Sequence, residues 1–333
     1  MDELSAHLDR GWDLVNRGDY HGAQTSAEKS LELDAKSPEV HNLLGYIQAA
    51  QGNIEQALSH YREAIALDDT FIEAILNAAE LLIHPVRDFE TAVDMVDEAL
   101  DLAQNNDEIA DALLLKFDAY MHQADLDAAV GVAAKLPEGP FENPHLEFLI
   151  GRAKFEAGDI AGAEKMVRQS IANDSENADA HYYLGLIQEN QGNSEAAIID
   201  FLKSRVIDLK ARPVFWSLPE ERFEKLVRNL IQSFGEPMAS LFDGTFVVIS
   251  DMPGVEVITE GVDPRIGVLV EESTDPNQSP KVNRLFVYRR NLERIATTPF
   301  GIEDELRNYI EHEIAALFPT LFEIDSDKEL SEN

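Results

Sequence analysis

His312 and Glu313 stand in the stretch I-E-H-E-I-A-A-L at 310–317, and a His-Glu pair on a helix can open a zinc site. In the pattern H-E-x-x-H, two imidazoles one turn apart hold the metal and the glutamate takes a proton from the metal-bound water. Here Ala316 occupies the second imidazole's position. The other eight histidines (7, 21, 41, 60, 84, 122, 145 and 181) all lie far upstream, so His312 is the only one after residue 181. A closed zinc site needs three or four protein ligands in tetrahedral geometry. One imidazole with scattered carboxylates does not supply them, and the sequence predicts no bound metal, no cofactor and no catalytic residue. Other chemistry is equally hard to place. There is no glycine-rich phosphate loop, no G-x-S-x-G and no acidic calcium loop, and the chain has no cysteine. The acidic stretch DMPGVEVITEGVDP at 251–264 reads as a solvated loop.

The elements that carry these residues belong to a chain of 333 residues with 27 Lys+Arg against 63 Asp+Glu, a formal net charge of −36. Such a surface repels phosphate backbones and anionic membranes, which argues against a nucleic-acid partner. No apolar run approaches the ~18 residues of a membrane helix, and the polar start MDELSAHLDR does not resemble a secretory signal. The expectation is a cytoplasmic protein with no membrane insertion. Residues 211–333 hold 23 acidic and 12 basic residues, a net of −11, which leaves −25 for residues 1–210. A basic partner and a salt-adapted surface both fit that excess.

Self-comparison finds a period of 34. Gly11, Gly18 and Ala23 recur 34 residues on as Gly45, Gly52 and Ala57, and Gly151, Gly158 and Ala163 recur as Gly185, Gly192 and Ala197. Each unit reads as two amphipathic helices broken at G-N or G-D, with small residues where the helices cross closely. These residues resemble the tetratricopeptide repeat. About six units fit, of which the third (72–104) and fourth (108–137) depart from the pattern. HPVRDFETA at 84–92 lacks the turn glycine, and QADLDAAV at 123–130 has Ala124 in its place. Three prolines in KLPEGPFENPH at 135–145 predict a kink that divides the array between the fourth and fifth units.

An array of stacked repeats presents an inner surface lined by the first helix of each unit. The positions one after and three before the small-residue column fall on that face. They give Leu8, Trp12, Asn42, Tyr46, Phe148, Arg152, Tyr182 and Leu186, with Tyr183 adjacent. These residues are the expected binding groove for a peptide or helix, with the aromatics as anchors; packing between repeats is the alternative reading. With Arg152 as its only cation, the face does not form a carboxylate clamp.

After Arg212 the pattern changes. An amphipathic helix is expected at 220–234, strands at 245–250, 265–271 and 284–290, and a last helix at 302–317. The order RLFVYRRNLER, a short loop, then ELRNYIEHEIAAL resembles the minimal zincins, small bacterial presumed metallopeptidases. That resemblance implies His312 as first ligand and Glu313 as general base. Ala316 and Pro319 depart from the pattern, and Glu323 and Asp325 lie near the implied third ligand. His312 and Glu313 then read as remnants of a dead site.

The chain thus reads as mainly α: a tetratricopeptide-like array of about six helix pairs at 1–211, a degenerate zincin-like α+β domain at 212–325 and an acidic tail at 326–333. The expected function is a non-enzymatic interaction scaffold for a protein or peptide partner, in which a basic partner would suit the charge. Two alternatives stay open: a metallopeptidase with a non-standard metal site, and an acidic assembly factor for a basic client.

Overall fold

The computed structural model describes residues 3–273, 280–296 and 298–319. It divides into two compact units, Met1–Ser175 and Glu176–Asn333.

The first unit is a stack of five helix pairs: α1 (Glu3–Asn16) with α2 (Tyr20–Leu33), α3 (Pro38–Ala50) with α4 (Ile54–Leu67), α5 (Ile72–Leu81) with α6 (Phe89–Leu102), α7 (Asn106–His122) with α8 (Leu126–Ala133), and α9 (His145–Glu156) with α10 (Ile160–Asn173). The turn inside each pair is set by two residues. The first adopts a left-handed conformation, as in Gly18, Gly52 and Gly158 with φ of 76°, 79° and 83°. The second is Asp or Asn and starts the next helix; Asp19, Asp88, Asp125 and Asp159 each accept a hydrogen bond from a first-turn backbone N–H. Small residues let the paired helices touch. A Cβ on Gly45 would lie 2.5 Å from the Tyr61 ring, and one on Gly151 would lie 2.7 Å from Val167 Cγ2.

The third and fourth pairs keep the same turn without the glycine. Arg87 and Ala124 hold φ of 62° and 59°, a conformation that costs an L-residue about 1–2 kcal/mol. Part of that cost is recovered on substitution by glycine, whose unfolded chain has more entropy to lose. Ala124→Gly is therefore expected to stabilise the protein by about 0.5–1 kcal/mol and to raise the first unit's Tm by about 1–4 °C in calorimetry. An unchanged or lower Tm would show that the left-handed alanine carries no strain. In the third pair α5 continues through a π-helical turn, Leu82–Val86, which contains Pro85. The wider turn adds one residue before Arg87 and accommodates a proline that has no N–H to donate.

The division expected at 135–145 does not occur there. Prolines do end α8 early, but Leu136 is buried at 4% exposure and joins one core with Phe117, Val132, Leu146 and Met166, against which Phe141 also packs. Asp107 further ties the loop down by accepting hydrogen bonds from the backbone N–H groups of Glu142 and Asn143. Burial of apolar side chains from both sides outweighs the missing helical turn.

The second unit begins with a sixth pair, α11 (Ala178–Asn190) and α12 (Ser194–Lys210). It continues through α13 (Glu220–Ser233), α14 (Met238–Leu241), β1 (Phe246–Ser250), α15 (Val255–Thr259), β2 (Val268–Glu272), β3 (Val282–Tyr288), α16 (Arg289–Ala296) and α17 (Ile302–Leu317). The sheet order is β1-β3-β2, with β1 parallel and β2 antiparallel to the central β3. Phe223, Val227 and Leu230 of α13, Leu285 and Val287 of β3, and Leu306, Ile310 and Ile314 of α17 share the core. The third expected strand stops at Tyr288 because Arg289 begins α16. The Asn291 side chain there donates to the carbonyls of Pro264 and Ile266 at 2.9 and 2.8 Å, and Leu292 is fully buried. No helix among the described residues is long and apolar enough to cross a membrane.

Candidate recognition groove

The residues that face outward from the first helices can be found by counting back from each left-handed turn residue. Six positions before Gly18, Gly52, Ala124 and Gly158 stand Trp12, Tyr46, Asp118 and Arg152. Seven before Arg87, where the π turn adds a residue, stands Glu80. One column therefore crosses α1, α3, α5, α7 and α9 in the order Trp, Tyr, Glu, Asp, Arg. Successive helices in the column pack on one another, α3 on α5, α5 on α7 and α7 on α9.

The structure opens a cavity of about 720 Å³ along this column between α5, α7 and α9. Its walls combine Phe71, Leu76, Leu114 and Leu149 with the carboxylates of Glu73, Glu80, Glu108, Asp111 and Asp118, and Arg152 is the single base. A second cavity of about 260 Å³ lies beside Tyr46, Tyr61 and His84. Asn77 and Glu80 line both cavities, so the groove continues from Tyr46 to Arg152. The charge is concentrated: residues 1–175 hold 34 acidic and 12 basic residues, a net of −22. Surrounding protein displaces water from Asp111, and Asp107 stands nearby, so its carboxyl lies above the usual carboxylate range. A cation entering the groove would relieve that crowding.

Of the residues expected from sequence, Trp12 and Tyr46 meet edge to face with ring centroids 5.4 Å apart, and Tyr46 keeps 40% of its surface exposed. Arg152 lies at the far wall, 3.6 Å from Glu156. Asn42 is buried, with 1% exposure; it donates to Glu73 at 2.9 Å and accepts from Asn77 at 3.0 Å, which fixes α3 to α5. Phe148 is buried at 5% exposure beside His145.

Tyr182 and Tyr183 belong to the second unit, where they touch edge to face. The Tyr182 hydroxyl donates to Asp263 at 2.8 Å, and the Arg265 guanidinium lies 4.3 Å over its ring. Burial first, and the Asp263 charge second, raise the phenol's pKa. The stretch 251–264, expected to be a solvated loop, supplies these contacts. Ile258 within it is fully buried with Ala197 and Phe201, and the Pro253 carbonyl accepts from Arg205. Glu256 and Glu260 are exposed, while Asp251 and Asp263 are half-buried and Asp251 pairs with Arg289 at 2.6 Å; Ile258 and Pro253 face the helix pair.

His312 lies opposite the buried stripe of α17. Its side chain is 82% exposed, 4.0 Å from Glu313. Among the described residues no group of three His, Asp or Glu side chains is placed to hold a metal ion. Glu323 and Asp325 lie outside the described residues.

The glycine periodicity does not point to Glu73, Glu80, Asp111 and Asp118. Their signal is instead a repeated spacing, Glu73-Asn77-Glu80 and Asp111-Leu115-Asp118, which puts each trio on one helical face.

Comparison with known proteins agrees with the helical repeats. Residues 8–70 and 148–208 match the tetratricopeptide repeat family model. Those two segments carry tetratricopeptide repeats. Eighty residues, 24% of the chain, are 35% identical to the probable biofilm formation methyltransferase WspC of Pseudomonas putida, and they span 18% of that protein's length. Among solved structures, PilW, a type IV pilus biogenesis factor, aligns with a TM-score of 0.51 at 17% identity over 68% of this chain and 100% of its own. Pseudomonas aeruginosa PilF aligns with a TM-score of 0.51 at 16% identity over 61% of this chain and 91% of its own. These likenesses are of fold: a mainly helical repeat array, to which this chain adds a small three-stranded sheet.

Proposed function

We propose that the chain is a non-enzymatic interaction scaffold that takes a peptide or helix of a protein partner into the groove between Tyr46 and Arg152. The observation that carries this reading is the open cavity of about 720 Å³ on the repeats' first helices, walled by apolar and charged side chains together. Pockets of that size with a few convergent polar groups are the usual form of a binding site, and tetratricopeptide folds generally bind protein or peptide partners. The strong negative charge of the unit favours a basic partner, whose approach it would accelerate.

In the second unit we read α17 as a packing helix, with His312 and Glu313 as the remnant of a zincin-like site without peptidase activity. The exposure of His312, on the side of α17 away from its buried residues, supports the packing role of that helix.

The test is photo-cross-linking in the native host with p-benzoylphenylalanine placed at Tyr46, at Leu76 or at His312. A shared protein adduct at Tyr46 and Leu76 is the expected result. Adducts confined to His312 would move the recognition surface to the second unit and overturn the proposal.

A further inference from the structure

The groove column has an order as well as a charge. Tyr46 on α3 is an aromatic platform, Glu80 on α5 and Asp118 on α7 are two successive carboxylates, and Arg152 on α9 ends the row. Packed helices lie about 8–10 Å apart. An extended chain in the polyproline II conformation has three residues per turn and rises about 3.1 Å per residue, so every third side chain points the same way about 9 Å further on. Such a segment laid across the helices therefore presents one side chain to each column position when its contacts recur every three residues. A helix laid in the same place needs a diameter of about 10–12 Å, and its matching side chains fall seven residues apart.

We propose that the occupant is an extended segment of a partner protein bearing an apolar residue, two basic residues and an acidic residue at three-residue intervals. This rests on the scaffold reading above and names the chemistry its groove selects. The apolar side chain lies on Tyr46, and the two cations face Glu80 and Asp118. Arg152 takes the acidic side chain at the end of the row, where its guanidinium can supply two parallel donors. Glu73 and Asp111 lie two turns before Glu80 and Asp118 on the same helices and extend the negative field along the groove. Charge complementarity decides the class of partner. A polyanion is repelled by five carboxylates, and an uncharged segment leaves the two inward ones unpaired.

The experiment is calorimetric titration of the full chain with acetylated, amidated decapeptides. One carries tryptophan first, lysine at the fourth and seventh places and aspartate last on an alanine background. A second reverses that order, because the chain direction is set by the ligand. The expected result is that one of the two orders binds at least tenfold more tightly than the same peptide with both lysines replaced by glutamate. That preference should fall at least tenfold in the double variant Glu80→Gln with Asp118→Asn, whose near-isosteric changes leave the helices intact by circular dichroism. Arg152→Ala should weaken the peptide that carries the aspartate but not the version with asparagine in its place. The inference is overturned if neither lysine order exceeds its glutamate version, or if the double variant binds unchanged. It is also overturned if a stapled helical peptide with lysines seven apart binds more tightly than both. Should cross-linking at Tyr46 capture a partner through an acidic segment, the scaffold reading stands and the cationic one fails.

Discussion

Asp208→Ala should destabilise the second unit by about 3 kcal/mol, the low end of the range for removing one partner of a buried ion pair. Asp208 ends α12 with 9% of its side chain exposed. It receives Arg294 at 2.6 Å and Arg265 at 3.6 Å. Arg265 is itself only 14% exposed and is held between Asp208, Asp179 and the Tyr182 ring. Without Asp208, one guanidinium keeps a half-exposed partner and the other loses its short contact, so the loss is below that of a fully orphaned charge. Arg290 also donates to the carbonyls of Asp208, Leu209 and Ala211 and so closes the C-terminal end of α12. That contact survives the substitution because it uses backbone, which keeps the variant folded and measurable. By the usual scaling the unit's Tm should fall by about 6–12 °C. Replacing Asp208 and Arg294 together by leucine should cost less than Asp208→Ala alone, since no charge is then stranded. If Asp208→Ala shifts Tm by about a degree or less, apolar contacts around Ile258 join the sixth pair to the sheet, and the ion network does not.

The same residues show what the sequence can reveal. Glycine at a left-handed turn is a visible signal, so the first, second, fifth and sixth pairs can be aligned and Trp12, Tyr46 and Arg152 placed in one column. Arg87 and Ala124 adopt the same backbone conformation without glycine, which hides the third and fourth pairs. Those pairs supply Glu80 and Asp118 to the groove. The π turn compounds the difficulty by moving the count by one residue. In the second unit the α13 and α17 helices are legible from apolar spacing. The short α16 is not, because it continues directly from β3 and two turns are too short a window for the helical period to separate it from the strand. The docking of 251–264 is hidden by its carboxylates, since one buried isoleucine in an acidic stretch leaves no periodic trace. Tyr182 stands three before Gly185, in register with Asn42 and Phe148, but its ring is used for contact with Asp263 and Arg265.

Tyr46→Ala should raise the dissociation rate of the cross-linked partner by about 30-fold, which corresponds to about 2 kcal/mol at an aromatic hot spot. The ring is the exposed member of the Trp12–Tyr46 pair and stands at the open end of the groove. Trp12 also packs into the core of the first two pairs, so its removal would mix lost binding with lost stability; Tyr46 is the cleaner probe. The association rate should change little, because long-range attraction depends on the unit's charge and that charge is untouched. Tyr182→Phe supplies the opposite control. It deletes the hydroxyl that Asp263 accepts from at 2.8 Å and should lower the second unit's stability by about 1–2 kcal/mol while leaving partner dissociation unchanged. Surface plasmon resonance with the captured partner, alongside thermal melts of each variant, separates the two effects. Faster release from Tyr182→Phe together with unaltered release from Tyr46→Ala would place the partner on the second unit, and the carboxylate-lined groove of the first would then serve some other ligand.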